Sequence, residues 1–400
     1  MNQSYFWKNE KIALRIIEDK DASTFYEILK DTTLRRQAEG GIALPSTVEK
    51  AEGMVLYAKE MTKEGKELWF AVLDTENRMV GYAILGYIEE KDGSAQCDVT
   101  IFPAYRRKGY GKSTFDILLR YAFLERRLHK VNCFVMEGNE EGIAFLDAIG
   151  FTLEAKRSDM FYHHGKYYAQ YYYGITDLEY RTPSKEKGKL CLESSLGLVQ
   201  STQNDFQNLL KERPYFWQYD EILIRDMTEQ DYYQNREMLF ASQDSRFYDN
   251  EVKLPMLLDA LTEKEEEHLH FEGQDDRIEF AVTTLQGEYV GNINLHSIDY
   301  KNGTFSISLY FLQNARKKGY ATKAMALIMG YAFFEKRLHK MNICVNDGNE
   351  ASARVMRRVG CKIEGVWKEQ VYYDGQFTNV ILFGITKEEF ETFIGLGEKK

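Results

Sequence analysis

The chain repeats itself at one constant spacing, and this repeat constrains the fold more than any other feature of the sequence. YAFLERRLHK at 121–130 returns as YAFFEKRLHK at 331–340, 210 residues later. The tripeptides YFW, FAV, GNE and GIT, which start at residues 5, 70, 138 and 174, recur at the same spacing. Solenoid units are only about 20–50 residues long. A repeat of this length therefore predicts two copies of a whole domain.

The predicted domain boundaries follow from the repeat. Since 400 residues are more than one hydrophobic core organises, a division into domains is expected on length alone. We predict one domain over 1–176, a linker over 177–214 and a second domain over 215–400. Most of the predicted linker is rich in charged residues and Ser.

Reading the two copies together predicts the secondary structure. Alternating apolar residues indicate strands at 11–17, 67–74, 79–88, 95–102 and 130–136. Asp21 can cap a first helix, and further helices are predicted at 46–65 and 139–149. A long helix is predicted to run from the segment 106–114 through Ile117, Leu118, Tyr121 and Leu124. A strand hairpin closes each copy. The predicted fold class is α+β, with two tandem domains that each have a mixed central β-sheet flanked by helices.

Composition limits the partners. Lys and Arg number 52 against 62 Asp and Glu, a formal net charge of −10, which disfavours nucleic acid and anionic membranes as partners. A cationic small molecule or peptide amine is easier to attract. The five cysteines, Cys97, Cys133, Cys191, Cys344 and Cys361, lack the spacing of a disulfide framework or zinc site. With no signal peptide and no apolar run of about 18 residues, we expect a cytoplasmic protein without a metal.

The segment RRKGYGKST at 106–114 has the composition of a phosphate-binding loop. A P-loop requires Gly where Arg106 stands, and a dinucleotide fingerprint requires Gly where Thr114 stands, so ATP and NAD are both disfavoured. Both copies nevertheless keep Arg-x-x-Gly-x-Gly/Ala at a helix start. Small residues let backbone N–H groups approach an oxyanion, and the helix N-terminus adds positive charge. The motif predicts a pyrophosphate cradle; a basic helix entry without a ligand is the alternative.

The arrangement of this motif resembles the GCN5-related N-acetyltransferases, the GNAT family. The motif lies between a fourth strand and a long helix, and a further strand and a helix-starting Asn follow it. The resemblance spans nearly all of both repeats, and 348–365 is especially similar to the branch that acetylates ribosomal-protein N-termini and related amines. It implies an acetyl-CoA-dependent N-acetyltransferase that acts on a small-molecule or peptide primary amine by direct attack in a ternary complex.

The resemblance also implies which residues bind acetyl-CoA. The cradle would hold the pyrophosphate, the end of the fourth strand would bind the pantetheine arm, and the helix-starting Asn would contact the cofactor. The residues implied in the first copy are Thr100, Ile101, Phe102, Arg107, Lys108, Gly109, Tyr110, Gly111, Lys112, Ser113 and Asn139. Those in the second are Tyr310, Phe311, Leu312, Lys317, Lys318, Gly319, Tyr320, Ala321, Thr322 and Asn349. Helix capping is the alternative role of the two asparagines, and one residue can do both.

The catalytic residues are less well defined by the resemblance. Many family members use a Tyr seven residues after the helix-starting Asn, where this chain has Leu146 and Met356. Ser352 matches a hydroxyl of the ribosomal-protein branch and is the candidate catalytic residue, with simple packing as its alternative. Gln96 stands where relatives often carry Glu, with Asp98 nearby, and no general base is predicted.

Two other functions remain open at this point. The missing Tyr in both copies favours a non-catalytic acetyl-CoA-binding or pseudo-dimeric interaction protein in which one or both copies are degenerate, and two similar domains are able to pack as an internal pseudo-dimer. A nucleotide hydrolase ranks third. The acceptor is expected near 35–46, 245–255 and the last hairpin of each copy.

Overall fold

The computed structural model describes residues 5–39, 44–182, 215–240, 247 and 277–396. Contacts between residues divide the chain into two compact units, Met1–Cys191 with Trp367–Phe377 and Leu192–Val366 with Thr378–Lys400. Most of the predicted linker, and all but residue 247 of the segment 245–255, lie outside the described residues. The predicted fold class is confirmed, since each unit is a mixed sheet flanked by helices.

The first unit has the predicted strands and helices in order, together with two short helices that were not predicted, one between the first two strands and one at 177–181, where the predicted linker begins. Its strands are β1 (Ile12–Ile16), β2 (Leu68–Asp74), β3 (Met79–Glu89), β4 (Ser94–Ile101), β5 (Lys130–Met136), β6 (Thr152–His163) and β7 (Lys166–Thr176). Its helices are α1 (Ala22–Lys30), α2 (Thr32–Glu39), α3 (Val48–Glu64), α4 (Tyr110–Arg120), α5 (Glu140–Ile149) and α6 (Asp177–Arg181). The predicted long helix ends earlier than its apolar pattern suggests, because a π-helical turn takes over at Tyr121–Glu125.

Within the described residues, the elements of the second unit follow the order of the first, with one additional short strand at the start. Its strands are β8 (Gln218–Tyr219), β9 (Ile222–Asp226), β10 (Ile278–Thr284), β11 (Tyr289–Asp299), β12 (Thr304–Phe311), β13 (Lys340–Asn346), β14 (Lys362–Tyr373) and β15 (Gln376–Thr386). Its helices within the described residues include α7 (Glu229–Phe240), α8 (Tyr320–Gly330), α9 (Glu350–Arg358) and α10 (Lys387–Phe393). A π-helical turn again follows the long helix, at Tyr331–Glu335.

The sheet of the first unit has the strand order β1-β2-β3-β4-β5-β7-β6. Its neighbours are antiparallel except β4 and β5, which run parallel. One face packs on α4 and α5 through a core that includes Leu85, Cys97 and Leu118. The other face packs on α1 and α3 through a core that includes Phe25 and Val55. Each face of the sheet therefore has its own helical layer.

The two parallel strands pair over a short length only. In the first unit the pairing covers residues 94–96 of β4 and 130–132 of β5. In the second unit it covers residues 304–305 of β12 and 340–341 of β13. Because both strands continue well beyond these pairs, the backbone of the end of β4 and of β12 faces a gap in its sheet.

Candidate active site

The predicted cradle of the first unit has the backbone geometry of an anion site. Gly109 is the N-cap of α4 and has φ +82°, and Arg107 two residues earlier has φ +61°. The N–H of Ser113 donates to the carbonyl of Gly109, closing the first helical turn. The amides that precede Ser113 at the helix start have no carbonyl partner inside the helix, so they can bind an anion.

The second cradle has the same backbone. Lys317 has φ +64° and Gly319, the N-cap of α8, has φ +87°. In both units the first Arg of the motif is tied back to the preceding strand. Arg106 Nε donates to the carbonyl of Ile101 at 3.2 Å, and Arg316 Nε donates to that of Phe311 at 2.9 Å.

Gly111 lies where the cradle meets both the sheet and α5. A Cβ added there would lie 3.5 Å from the Phe145 ring and 3.8 Å from Ile101, which are ordinary contacts. The position therefore accepts a methyl group but little more. This explains why Ala321 can occupy the equivalent position in the second unit.

The end of β4 is shaped by a glycine on the neighbouring strand. Gly81 pairs with Ile101, and a Cβ on Gly81 would lie 2.3 Å from the carbonyl oxygen of Thr100. Gly291 has the same relation to Tyr310 in the second unit, at 2.2 Å. The strand segments implied in pantetheine binding are thus held by a close backbone approach that only Gly permits.

The two predicted cofactor-contacting asparagines cap helices. Asn139 Oδ1 accepts from the N–H of Gly142 at 3.1 Å, and Asn349 Oδ1 accepts from the N–H of Ser352 at 3.1 Å. The capping role is therefore present in both units. Ser352 is half-buried in the first turn of α9, and its role as a catalytic hydroxyl stays a prediction.

The structure adds an acidic residue that the sequence did not assign. Asp98 lies on β4 in register with Ile84, which is in turn in register with Trp69 on β2, so the three side chains share the face toward α1 and α3. Burial raises the pKa of the partly buried Asp98 carboxyl, and Glu67 raises it further, while the hydrogen bond from Gln96 opposes both. Asp98 is thus a carboxyl group poised to take up a proton.

Aromatic rings lie near Glu67 on the face of the sheet that also carries Asp98. Trp69 stacks on Tyr82 with ring centroids 6.2 Å apart and meets the edge of Tyr57 at 6.3 Å. Trp69 Nε1 also donates to Glu67 Oε2 at 2.8 Å. We call Tyr57, Glu67, Trp69, Tyr82 and Asp98 the acidic-aromatic patch. Carboxylates and electron-rich rings together favour a cationic ligand. The sequence carries two signals for Asp98: it lies near Gln96, where relatives often carry Glu, and it is an Asp inside a strand, a position that Asp usually avoids.

The second unit differs at the same positions. Ser308 stands in place of Asp98, and Glu279, in place of Trp69, accepts from Arg277 Nε at 2.8 Å. The side-chain oxygens of Asn292, Asn294 and Asn342 are buried there without a hydrogen-bond partner. This face of the second unit is therefore polar, with its carboxylate already paired.

Two other acidic residues of the sheets are engaged elsewhere. Glu154 accepts from the fully buried Lys130 at 2.7 Å, and Lys340 pairs with Glu364 in the same way in the second unit. Burial raises the pKa of Glu154 and lowers that of Lys130, and their ion pair opposes both shifts. These carboxylates are occupied by structural ion pairs.

Among the described residues, no group of three or more His, Cys, Asp or Glu side chains could hold a metal ion. His163 stacks on Tyr168, with ring centroids 3.8 Å apart, where the β6–β7 hairpin turns. No helix within the described part of the chain is long and apolar enough to cross a membrane.

Comparison with known proteins gives matches for both repeats. The family model of the acetyltransferase (GNAT) domain matches residues 11–152 and 221–362. The uncharacterized N-acetyltransferase YokL of Bacillus subtilis is 27% identical over 178 residues, 44% of this chain and 96% of that protein. The putative ribosomal N-acetyltransferase YdaF of the same organism is 31% identical over 111 residues, 28% of this chain and 61% of that protein.

Two polyamine enzymes are also similar. Spermidine N(1)-acetyltransferase of Escherichia coli is 25% identical over 130 residues, 32% of this chain and 68% of that protein. The crystal structure of spermidine N-acetyltransferase from Vibrio cholerae with CoA and spermine aligns with a TM-score of 0.40 and 21% identity. That alignment covers 44% of this chain and 100% of the other.

Proposed function

This chain belongs to the GNAT family of acetyltransferases, and on that premise we propose that its first unit transfers an acetyl group from acetyl-CoA to a cationic primary amine by direct attack in a ternary complex. One observation carries the proposal: a single strand, β4, bears Asp98 of the acidic-aromatic patch and runs at its end into the cradle. Beyond residue 96, β4 separates from β5, and the two substrates would meet in the gap between these strands.

The residues of the cradle fit the cofactor. Unpaired amides at the start of α4 and the side chains of Arg107, Lys108 and Lys112 suit a pyrophosphate. The edge of β4 that faces the gap at Thr100–Phe102, where Arg106 already bonds the Ile101 carbonyl, suits an amide-containing arm. Gly109 keeps this surface clear of a side chain. When bound, acetyl-CoA supplies an activated acetyl group as a thioester.

Asp98 is proposed as the group that binds the amine and takes its proton. A free alkyl ammonium has a pKa near about 10.4 and has no lone pair for attack until it is deprotonated. A carboxylate whose pKa lies above its usual range is a better proton acceptor than an exposed one. Trp69 and Tyr82 would hold the cationic amine beside it.

The name of one relative, the spermidine N(1)-acetyltransferase of Escherichia coli, supports a small amine as the acceptor. The acidic-aromatic patch favours the same class over a neutral acceptor. Ser352 is proposed as a proton donor for the second unit only, because Gly142 stands in its place in the first.

A second function follows from the differences in the second unit. It lacks the equivalents of Asp98 and Trp69, which favours a binding or degenerate role for this copy over an identical reaction. The alternative that the chain only binds acetyl-CoA predicts binding without turnover.

The test is release of free thiol from acetyl-CoA across a panel of amines that includes polyamines and a peptide N-terminus. We expect turnover with polyamines, loss of CoA binding and turnover at the first unit in Gly109→Asp, and a raised KM for polyamines in Trp69→Leu. Gly319→Asp is the matched control in the second unit and should leave most of the turnover intact. CoA binding without thiol release for any amine would contradict an enzymatic role of the first unit.

A further inference from the structure

We propose that the residue immediately before β1 in the first unit and immediately before β9 in the second sets how strongly that unit binds the phosphates of CoA, and that the change from Lys11 to Glu221 makes the first unit the tighter site. The inference rests on the proposed function of the cradle. Lys11 and Glu221 occupy equivalent positions, one residue before β1 and one residue before β9. Neither belongs to the cradle motif.

Lys11 reaches the cradle across the chain. A Cβ added to Gly109 would lie 2.8 Å from Lys11 Nζ and 3.8 Å from its Cδ and Cε. The ammonium group therefore lies against the N-cap of α4. The segment that carries Lys11 is fixed there, because Asn9 Nδ2 donates to the Ser113 carbonyl at 3.0 Å while Asn9 Oδ1 accepts from the N–H of Lys11 at 3.0 Å.

This position is electrostatically unfavourable for a cation by itself. The N-terminus of a helix carries partial positive charge, and Arg107, Lys108 and Lys112 are basic as well. Within the part of the chain that the structure describes, Lys11 forms no ion pair. A bound phosphate would relieve this repulsion, so the arrangement favours a polyanionic ligand.

The second unit supplies its own anions at the same place. Lys323, which is equivalent to Ser113, lies 2.5 Å from Glu221 Oε2 and 3.3 Å from Asp220 Oδ2. Burial lowers the pKa of Lys323, but the hydrogen bonds that its ammonium group donates to these two carboxylates outweigh burial and leave the pKa raised. The charge of Lys323 in the first turn of α8 is therefore neutralised before any ligand arrives, and Glu221 would repel a phosphate. Asp220 has an acidic equivalent in the first unit, Glu10. The difference between the units therefore rests on Lys11 and Glu221.

One carboxylate of the first unit opposes this difference, because it pairs with a basic residue of the cradle. Glu141 lies 2.7 Å from Arg107 in the first unit, and Ala351 replaces it in the second. The Arg107 side chain is 86% exposed, however, and a pair this exposed is worth little and yields readily to a phosphate. The Lys323 side chain is only 25% exposed, so its pairs with Glu221 and Asp220 are the stronger ones.

The experiment is titration of the full chain with CoA by calorimetry, at low and at moderate salt. For the wild type we expect two sites of unequal affinity. Lys11→Glu should weaken the tighter site by about tenfold or more, because it removes one charge-assisted contact and adds a repelling carboxylate, and it should reduce the salt dependence of that site. Lys11→Gln, which removes the charge without reversing it, should weaken it less. Glu221→Lys should tighten the weaker site.

Lys50→Glu is the control, because it makes the same change in net charge as Lys11→Glu. Lys50 is exposed in the first turn of α3, on the opposite face of the sheet from the cradle. Gly109→Asp assigns the tighter site to the first unit. If Gly109→Asp removes that site but Lys11→Glu behaves like Lys50→Glu, the inference is wrong and the proposed function stands. If the wild type binds no CoA, both are wrong.

Discussion

Gln96 Nε2 donates a hydrogen bond of 2.8 Å to Asp98 Oδ2, two residues further along β4. This bond stabilises the charged form of Asp98 but does not outweigh burial, which leaves the pKa of the carboxyl raised. Because an Asn at position 98 keeps an oxygen for Gln96 to bond, Asp98→Asn removes the charge with little change in the hydrogen bonds around it. This variant separates the function of Asp98 from its structural role.

Asp98→Asn should increase stability at neutral pH. A carboxyl whose pKa is higher in the folded than in the unfolded protein stabilises the fold below the unfolded pKa, and this stability is lost as the pH rises through the folded pKa. The charged Asp98 is therefore a cost at pH 7 that the Asn variant does not have. Melting temperatures measured from pH 3.5 to 7.5 should diverge as the pH rises, with the variant higher. Melting temperatures that differ by the same amount at every pH would mean that the pKa of Asp98 is not raised in the folded protein.

The same variant should lose the acid limb of the pH–rate profile. If Asp98 takes the proton of the amine, kcat/KM for a polyamine falls at low pH as Asp98 becomes protonated, with a midpoint above the usual range for Asp. Asp98→Asn should reduce kcat/KM by about 10²–10⁴-fold and flatten this limb. Ser308→Asn, at the equivalent position of the second unit, is the control. An unchanged pH–rate profile in Asp98→Asn would show that Asp98 is not the general base.

Gly81→Ala should damage both stability and cofactor binding. The new Cβ would lie 2.3 Å from a main-chain oxygen that cannot move by a side-chain rotation, so the end of β4 must shift. We expect a loss of about 1–3 kcal/mol in unfolding free energy and weaker binding of CoA to the first unit, measured by denaturant titration and calorimetry. Gly53→Ala is the control: Gly53 lies inside α3 with nothing within 4 Å of the added Cβ, so this variant should be slightly more stable. Equal effects of the two would contradict the packing described at Thr100.

Lys130→Met should destabilise the first unit strongly. It leaves the buried carboxylate of Glu154 without its partner, which costs about 3–5 kcal/mol. Lys59→Met breaks an exposed ion pair with Asp19 and should cost less than about 1 kcal/mol. Denaturant unfolding of both variants compares the two. A small loss of unfolding free energy in Lys130→Met would show that burying Glu154 without the lysine costs little.

Much of the fold was predictable from the sequence, because the repeat shows each element twice. The alternation of apolar residues gave the strands to within a few residues, and the backbone of both cradles agrees with the expected glycine positions. The early end of α4 was missed, since a π-helical turn keeps an apolar pattern close to that of an α-helix.

The missed parts of the site depend on contacts between distant residues. Asp98 is interpreted through Trp69, which the strand register places on the same face one strand away, and through Glu67, which raises the pKa of Asp98; no local sequence pattern reveals either relation. Lys11 precedes Gly109 by nearly a hundred residues. The sequence around Lys11 contains no motif, so the contact between Lys11 and Gly109 could not be predicted. Such pairings become visible only once the register of β1, β2, β3 and β4 is known.

The two cradles have the same pair of left-handed residues, at Arg107 and Gly109 and at Lys317 and Gly319. Each unit can therefore serve as the reference for the other in a binding measurement. Any difference in ligand affinity between its halves, measured in one tube at one protein concentration, reports on the side chains around a shared backbone rather than on the backbone itself.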